Sequence, residues 1–161
     1  MSEKSVQSAE TAVKAEPSVL VGRFDHALDP KKRLTIPRVW RKAMGEPEYV
    51  FVMPDRREKC VNLLPKSEMD VVLAKLHEKA LFDPRLNHLW QAVASKSEQL
   101  ELDVQGRIRI SDRLLQFANL KTTVAMVGAL RMIKLWDPAA LGPEDEIDQA
   151  ELDAALAEVG L

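Results

Sequence analysis

The sequence predicts a mainly β fold of the α+β class, built as a pseudo-two-fold double repeat with connecting helices. Three observations predict it. First, Leu28-Asp29-Pro30-Lys31-Lys32-Arg33-Leu34-Thr35-Ile36-Pro37 aligns with Leu102-Asp103-Val104-Gln105-Gly106-Arg107-Ile108-Arg109-Ile110-Ser111 at an offset of 74 residues. Val50–Met53 aligns with Val124–Val127 at the same offset, and a two-residue gap brings Val61–Pro65 onto Ile133–Asp137. Ordered self-similarity of this kind marks duplicated supersecondary units. Second, short β-branched runs bounded by turn residues recur in both copies. Third, the segment between the copies changes to helical periodicity. Each copy is below the size at which a core stands alone, so the two are expected to share one.

Within each copy a short strand leads into an Asp-x-x-x-Arg turn, and a second strand follows at Leu34–Ile36 or Ile108–Ile110. A short helix comes next, opened by Pro37 in its first turn in one copy and by Ser111 as N-cap in the other. Two more strands close each unit: Tyr49–Met53 with Val61–Leu64, and Thr123–Val127 with Arg131–Trp136. Asp55–Lys59 and Gly128–Leu130 are the turns between them. In the connector, Met69, Val72, Leu73, Leu76 and Ala80 share one helix face, with Ser67 and Asp70 as a capping-box start. Asp83-Pro84 starts a second helix with Leu86, Leu89, Trp90 and Val93 on its apolar face. Both stripes are expected to be core. The organisation is therefore a tail at 1–18, a first repeat at 19–66, a helical connector at 67–94, a second repeat at 95–141 and an acidic tail at 142–161. In the last, Ile147, Leu152, Leu156 and Val159 suit a short amphipathic helix, although so acidic a segment can equally stay unfolded.

Composition narrows the function classes. The chain has 161 residues, 46% hydrophobic and 30% charged. No apolar run reaches the roughly 18–20 residues of a membrane span, and residues 1–17 have no apolar region of the kind a secretory signal needs. One cysteine, Cys60, excludes an internal disulfide framework and a cysteine-based zinc site. His26, His77 and His88 are too scattered for a metal centre. No phosphate-cradling glycine loop or nucleophile–base order is present, so no cofactor, small-molecule substrate or catalytic activity is expected. The net charge of −2 hides a strong asymmetry. Residues 19–64 carry +4 and residues 100–136 carry +3, against −8 in residues 137–161. Two basic repeats can thus bind an anion beside an acidic tail.

Val21-Gly22-Arg23-Phe24-Asp25-His26-Ala27-Leu28-Asp29-Pro30-Lys31-Lys32-Arg33-Leu34-Thr35-Ile36-Pro37 resembles the opening of the MraZ family. Leu102–Ile110 and the closing Leu135-Trp136-Asp137-Pro138 resemble its second half. The resemblance spans about residues 19–140, and the paired Asp-x-x-x-Arg motifs carry it. It implies two AbrB/MazE-like swapped-hairpin units forming one β-barrel. It also implies a transcriptional repressor of bacterial cell division and cell wall genes, cytoplasmic and nucleoid-associated. Such a protein binds short direct repeats in double-stranded DNA upstream of its own operon, as a ring-shaped homo-oligomer. Lys32 departs from the family's usual glycine, and Ser111 from its usual proline.

With that resemblance, Arg33 is the expected base-reading contact, because a guanidinium fork matches phosphate or guanine. Lys31, Lys32 and Arg38 are the expected phosphate contacts, with Arg41 and Lys42 just beyond. Arg107 and Arg109 are the corresponding cations of the second repeat, which has no lysine pair and is expected to serve mainly assembly. Asp29, Asp103 and Gly106 are read as turn-builders; Asp29 in particular should bond the turn's own amides. His26 is expected to be a structural hydrogen-bonder, Cys60 an inert half-buried thiol, and Trp40, Trp90 and Trp136 core or subunit contacts. The competing reading is an antitoxin-like AbrB-fold interaction module whose acidic tail covers a protein partner.

Overall fold

A computed structural model of the chain describes residues 19–141 and 148–161. The expectations placed on residues 1–18 and on Ile147 lie outside the described residues. The elements run β1 (Arg23–Ala27), β2 (Arg33–Thr35), α1 (Arg38–Ala43), β3 (Tyr49–Pro54), β4 (Val61–Leu64), α2 (Lys66–Ala80) and α3 (Pro84–Ser95). They continue β5 (Glu98–Glu101), β6 (Arg107–Arg109), α4 (Asp112–Phe117), β7 (Thr123–Gly128), β8 (Ile133–Trp136), α5 (Pro138–Leu141) and α6 (Gln149–Glu158). The fold is mixed, with all strand pairs antiparallel.

Only the closing hairpins, β3–β4 and β7–β8, mate within their own repeat; every other strand pair crosses between the repeats. Six strands form one sheet in the order β1-β7-β8-β4-β3-β5, and β2 pairs only with β6. The opening strand of each repeat is thus exchanged: β1 lies on β7, and β5 lies on β3. The registers obey the 74-residue offset. His26 pairs with Val124 as Val50 pairs with Leu100, and on the ribbon Leu34 pairs with its own equivalent, Ile108. Across β4 and β8, Asn62 faces its equivalent Lys134. The pseudo-two-fold axis therefore runs through these two pairs.

The closed barrel expected from the sequence is not what the hydrogen bonds form among the described residues. The reason lies in β2 and β6. Each is three residues long and follows directly on a tight turn, so its ladder bonds go to the other and none reach the sheet. The sheet is left open at β1 and β5. One core nevertheless serves both repeats. Leu34, Ile36, Val50, Val52, Val61 and Leu63 from the first meet Ile108, Ile110, Val124, Met126, Ile133 and Leu135 from the second, each at most 1% exposed. Strand alternation puts these residues inward and their polar neighbours outward. Trp40 is buried with them, donating its Nε1–H to the Val21 carbonyl at 2.8 Å and meeting Phe24 edge to face.

The connector corrects an expectation. The helices form where the periodicity puts them, but no residue of α2 or α3 is fully buried. Leu73 and Leu89 are more than half exposed, and Met69, Val72, Leu76, Leu86, Trp90 and Val93 only partly covered. The stripes line a groove of about 640 Å³ between the helix pair and the sheet, with Trp90 on its wall. Helical spacing identifies the apolar face, not the depth to which it is covered. Ser67 is not the cap either: α2 begins one residue earlier, after Pro65. Asp83 does cap α3, accepting from the Arg85 amide, and Ser111 caps α4 through the Leu114 amide. In the acidic tail α6 is helical and capped by Asp148, with Leu152 and Leu156 half-buried and Val159 exposed.

Candidate nucleic-acid interface

The two Asp-x-x-x-Arg turns have one geometry. In the first, Asp29 Oδ1 accepts from the amides of Lys31 at 2.9 Å and Arg33 at 2.8 Å, and Oδ2 accepts from Arg33 Nε at 2.5 Å. In the second, Asp103 Oδ1 accepts from Gln105 at 2.9 Å and Arg107 at 3.0 Å, and Oδ2 from Arg107 Nε at 2.7 Å. Backbone bonds close each loop, Lys32 N to Asp29 O and Gly106 N to Asp103 O, both 2.9 Å. Partial burial pushes the Asp29 carboxyl up, but the Arg33 and Lys31 bonds outweigh it and hold it below its ordinary range. Asp103 is held down chiefly by the Arg107 amide. Each aspartate is therefore an ionised brace. It fixes the arginine stem through Nε, one of five donors on a guanidinium.

Sequence reasoning treats the two arginines as belonging to separate sites. The β2–β6 ribbon joins them. Leu34 and Ile108 point into the core, so Arg33, Thr35, Arg107 and Arg109 occupy the opposite face. Arg33 lies directly across from Arg109, and Arg107 across from Thr35. Opposed like charges are unfavourable in a sheet. A row of three guanidinium groups on one rigid ribbon becomes favourable when a polyanion lies along it.

The other cations divide. Lys31 is exposed in the first turn, and Arg38 is exposed at the start of α1. Lys32 is not an independent cation, because its ammonium is paired with the Asp112 carboxylate on α4. Its backbone sits at φ 61°, the left-handed region, where its equivalent Gly106 has φ 76°. Arg41 is turned inward. Its Nε donates to the Ile36 carbonyl at 3.0 Å, and a Cβ on Gly106 would fall 2.5 Å from the same nitrogen. The turn's left-handed φ is what calls for the glycine, and the Arg41 guanidinium packs where a Cβ would stand. Asp112 and the inward role of Arg41 are the features sequence reasoning missed. The signal available was the repeat offset itself, which makes Lys32 the counterpart of Gly106 and Arg38 the counterpart of Asp112.

Elsewhere, Cys60 is fully buried and burial pushes its thiol up to about 11. His26 meets the Phe24 ring edge-on at 6.5 Å, and its side chain makes no hydrogen bond among the described residues, contrary to expectation. Asp55 accepts from the Arg57 and Glu58 amides, Asn62 Nδ2 and Lys134 Nζ at 2.8–3.1 Å, tying one β-turn to the axis pair Asn62–Lys134. No group of metal-ligating side chains occurs among the described residues.

A family model described as "MraZ protein, putative antitoxin-like" matches residues 93–141, from the end of α3 through α5. Over 136 residues the chain is 34% identical to "Transcriptional regulator MraZ" of Anaeromyxobacter dehalogenans, covering 83% of this chain and 92% of that one. The chain belongs to the MraZ family. An MraZ relative in Pseudomonas savastanoi pv. phaseolicola is 32% identical over 78% of this chain and 84% of its own. One in Clostridium tetani is 23% identical over 89% of this chain and the whole of its own. Both bear the same name. The MraZ resemblance read from the paired turns is borne out.

Proposed function

We propose that the chain is a sequence-specific transcriptional regulator, not an enzyme, that binds double-stranded DNA with its arginine ribbon. It acts in the cytoplasm at the nucleoid as a repressor of cell division and cell wall genes. Its target is a set of short direct repeats upstream of its own operon, engaged by a ring-shaped homo-oligomer whose swapped-hairpin units each present one ribbon. The observation that carries the reading is the alignment of Arg33, Arg107 and Arg109 on one face of β2–β6. The names of the relatives support the regulatory part.

The turns supply positioning. Braced by Asp29 and Asp103, the Arg33 and Arg107 guanidinium groups are held before DNA arrives, so less side-chain freedom is lost on contact. One ribbon makes few contacts and binds weakly. Several ribbons on one assembly engage several repeats together, and the gain comes from effective concentration. The partition expected from the sequence, with DNA on the first repeat and assembly on the second, gives way here to one surface drawn from both.

The test is a gel-shift titration on the DNA immediately upstream of the chain's own reading frame. Wild type, Arg33→Ala and Arg107→Ala are compared at two salt concentrations. Wild type prefers this duplex to a scrambled one, and about four phosphate contacts give a log–log salt slope of roughly −3.6. Both substitutions weaken binding. Equal binding by all three proteins overturns the assignment to the ribbon.

A further inference from the structure

The two turns are chemically unequal, and each is flanked by a helix from the other repeat. The first turn holds three successive cations, Lys31, Lys32 and Arg33. The second holds Val104, Gln105 and Gly106 before Arg107. Beside the first stands α4, whose opening residue Asp112 pairs with Lys32. Beside the second stands α1, whose Arg41 packs on Gly106. The pseudo-two-fold relation makes Arg38 the counterpart of Asp112, so the cation-poor turn is flanked by an arginine and the cation-rich turn by an aspartate. The charge inversion occurs at one symmetry-related position.

Lys32 adds a second observation. A side chain in the left-handed region costs about 1–2 kcal/mol where glycine costs none, and its counterpart is glycine. The lysine places an ammonium at the tip of the turn, and Asp112 takes it. The side chains of both remain open to solvent, 50% and 69% exposed, so the pair is of the weak, exchangeable kind. Asp112 also lies within electrostatic reach of Arg109 on the ribbon.

We propose that Asp112 is a positioning residue that limits DNA affinity, holding the Lys32 ammonium on α4 and away from the phosphate backbone. The inference rests on the DNA reading above. Its consequence is a deliberately moderated contact at each ribbon, so that tight binding depends on engaging several ribbons together. A protein whose single contacts were stronger would also hold unrelated DNA, since phosphate contacts carry no sequence information.

The experiment measures Asp112→Asn, Lys32→Ala and the double variant on the upstream duplex and on a scrambled duplex, across a salt series. Asparagine at 112 keeps the size of the side chain, and Ser111 still caps α4, so the fold is retained; thermal melting checks it. Asp112→Asn gains one phosphate contact per engaged ribbon. The salt slope then steepens by about 0.9 for each, and affinity rises about eight-fold per contact at 0.1 M salt. The scrambled duplex gains as much, so the preference for the upstream duplex does not improve. Adding Lys32→Ala abolishes the gain. An unchanged slope in Asp112→Asn, or a gain that survives the loss of Lys32, overturns the proposal. If Arg33→Ala weakens binding while Asp112→Asn changes nothing, only the role of Asp112 fails. If Arg33→Ala binds like wild type, the ribbon reading itself fails.

Discussion

Leu34 lies directly opposite Ile108 across the β2–β6 ribbon, and each is the other's counterpart in the repeat. The axis of pseudo-symmetry passes between two fully buried side chains. Their truncation should therefore be costly and coupled. Leu34→Ala and Ile108→Ala each lower unfolding stability by about 2–5 kcal/mol, and the double variant departs from additivity by about 0.5–3 kcal/mol. Urea unfolding of the three proteins checks this. Simple additivity shows that the two do not share a site.

The turn carboxylates set an acid limit. Asp29, Asp103 and Asp112 are all held below their ordinary range in the folded chain. Such groups add stability above the unfolded pKa and lose it as pH falls through the depressed folded one. The urea midpoint is thus flat from about pH 7 to about pH 5 and falls below about pH 4. In Asp29→Asn/Asp103→Asn it is lower at neutral pH and falls less steeply in acid. A midpoint that rises on acidification contradicts the ion-paired turns.

Gly106 and Lys32 make a matched pair for backbone strain. Gly106→Ala places a Cβ against the Arg41 guanidinium and forces alanine to φ 76°. It costs about 1–2 kcal/mol of stability. Lys32→Gly relieves the left-handed strain at φ 61° and raises the urea midpoint, less the weak Asp112 pair. Opposite signs at the two equivalent positions are the expected result, read from paired denaturation curves. A loss of stability in Lys32→Gly removes the strain argument.

How far the sequence carries can be judged from particular residues. The repeat, the two turns and the role of Asp29 were legible, because an Asp-x-x-x-Arg turn is a local event whose partners lie within four residues. The caps at Asp83 and Ser111 were legible for the same reason. The exchange of β1 and β5 was not, since pairing His26 with Val124 depends on a register set by the whole sheet. The ribbon that unites Arg33 with Arg109 was hidden for that reason too. At Leu73 and Leu89 the spacing gives the helix face, while burial depends on what packs against it.

Leu89 supports another prediction. A groove walled by Leu89 and Trp90 suits contact between subunits, and self-assembly is part of the proposed function. Leu89→Glu lowers the oligomeric state in native mass spectrometry and weakens binding to DNA with several repeats far more than to DNA with one. An unchanged assembly removes this groove from the subunit interface.

Cys60 supplies an internal reporter of unfolding. With its thiol buried and pushed up to about 11, thiolate is on the order of 100-fold scarcer than for an ordinary cysteine. A chromogenic thiol reagent should react slowly with the native chain and at the ordinary rate in denaturant. Rapid native labelling shows that the turn after Asp55 opens.

The exchanged strands also impose an order on birth. β1 leaves the ribosome early, yet its partner β7 is synthesised about a hundred residues later, and β3 must wait for β5. At roughly 5–20 residues per second, the first repeat spends several seconds with β1 and one side of β3 unmatched. Folding of this chain is therefore a late closure, in which neither half can be finished before the other has been made.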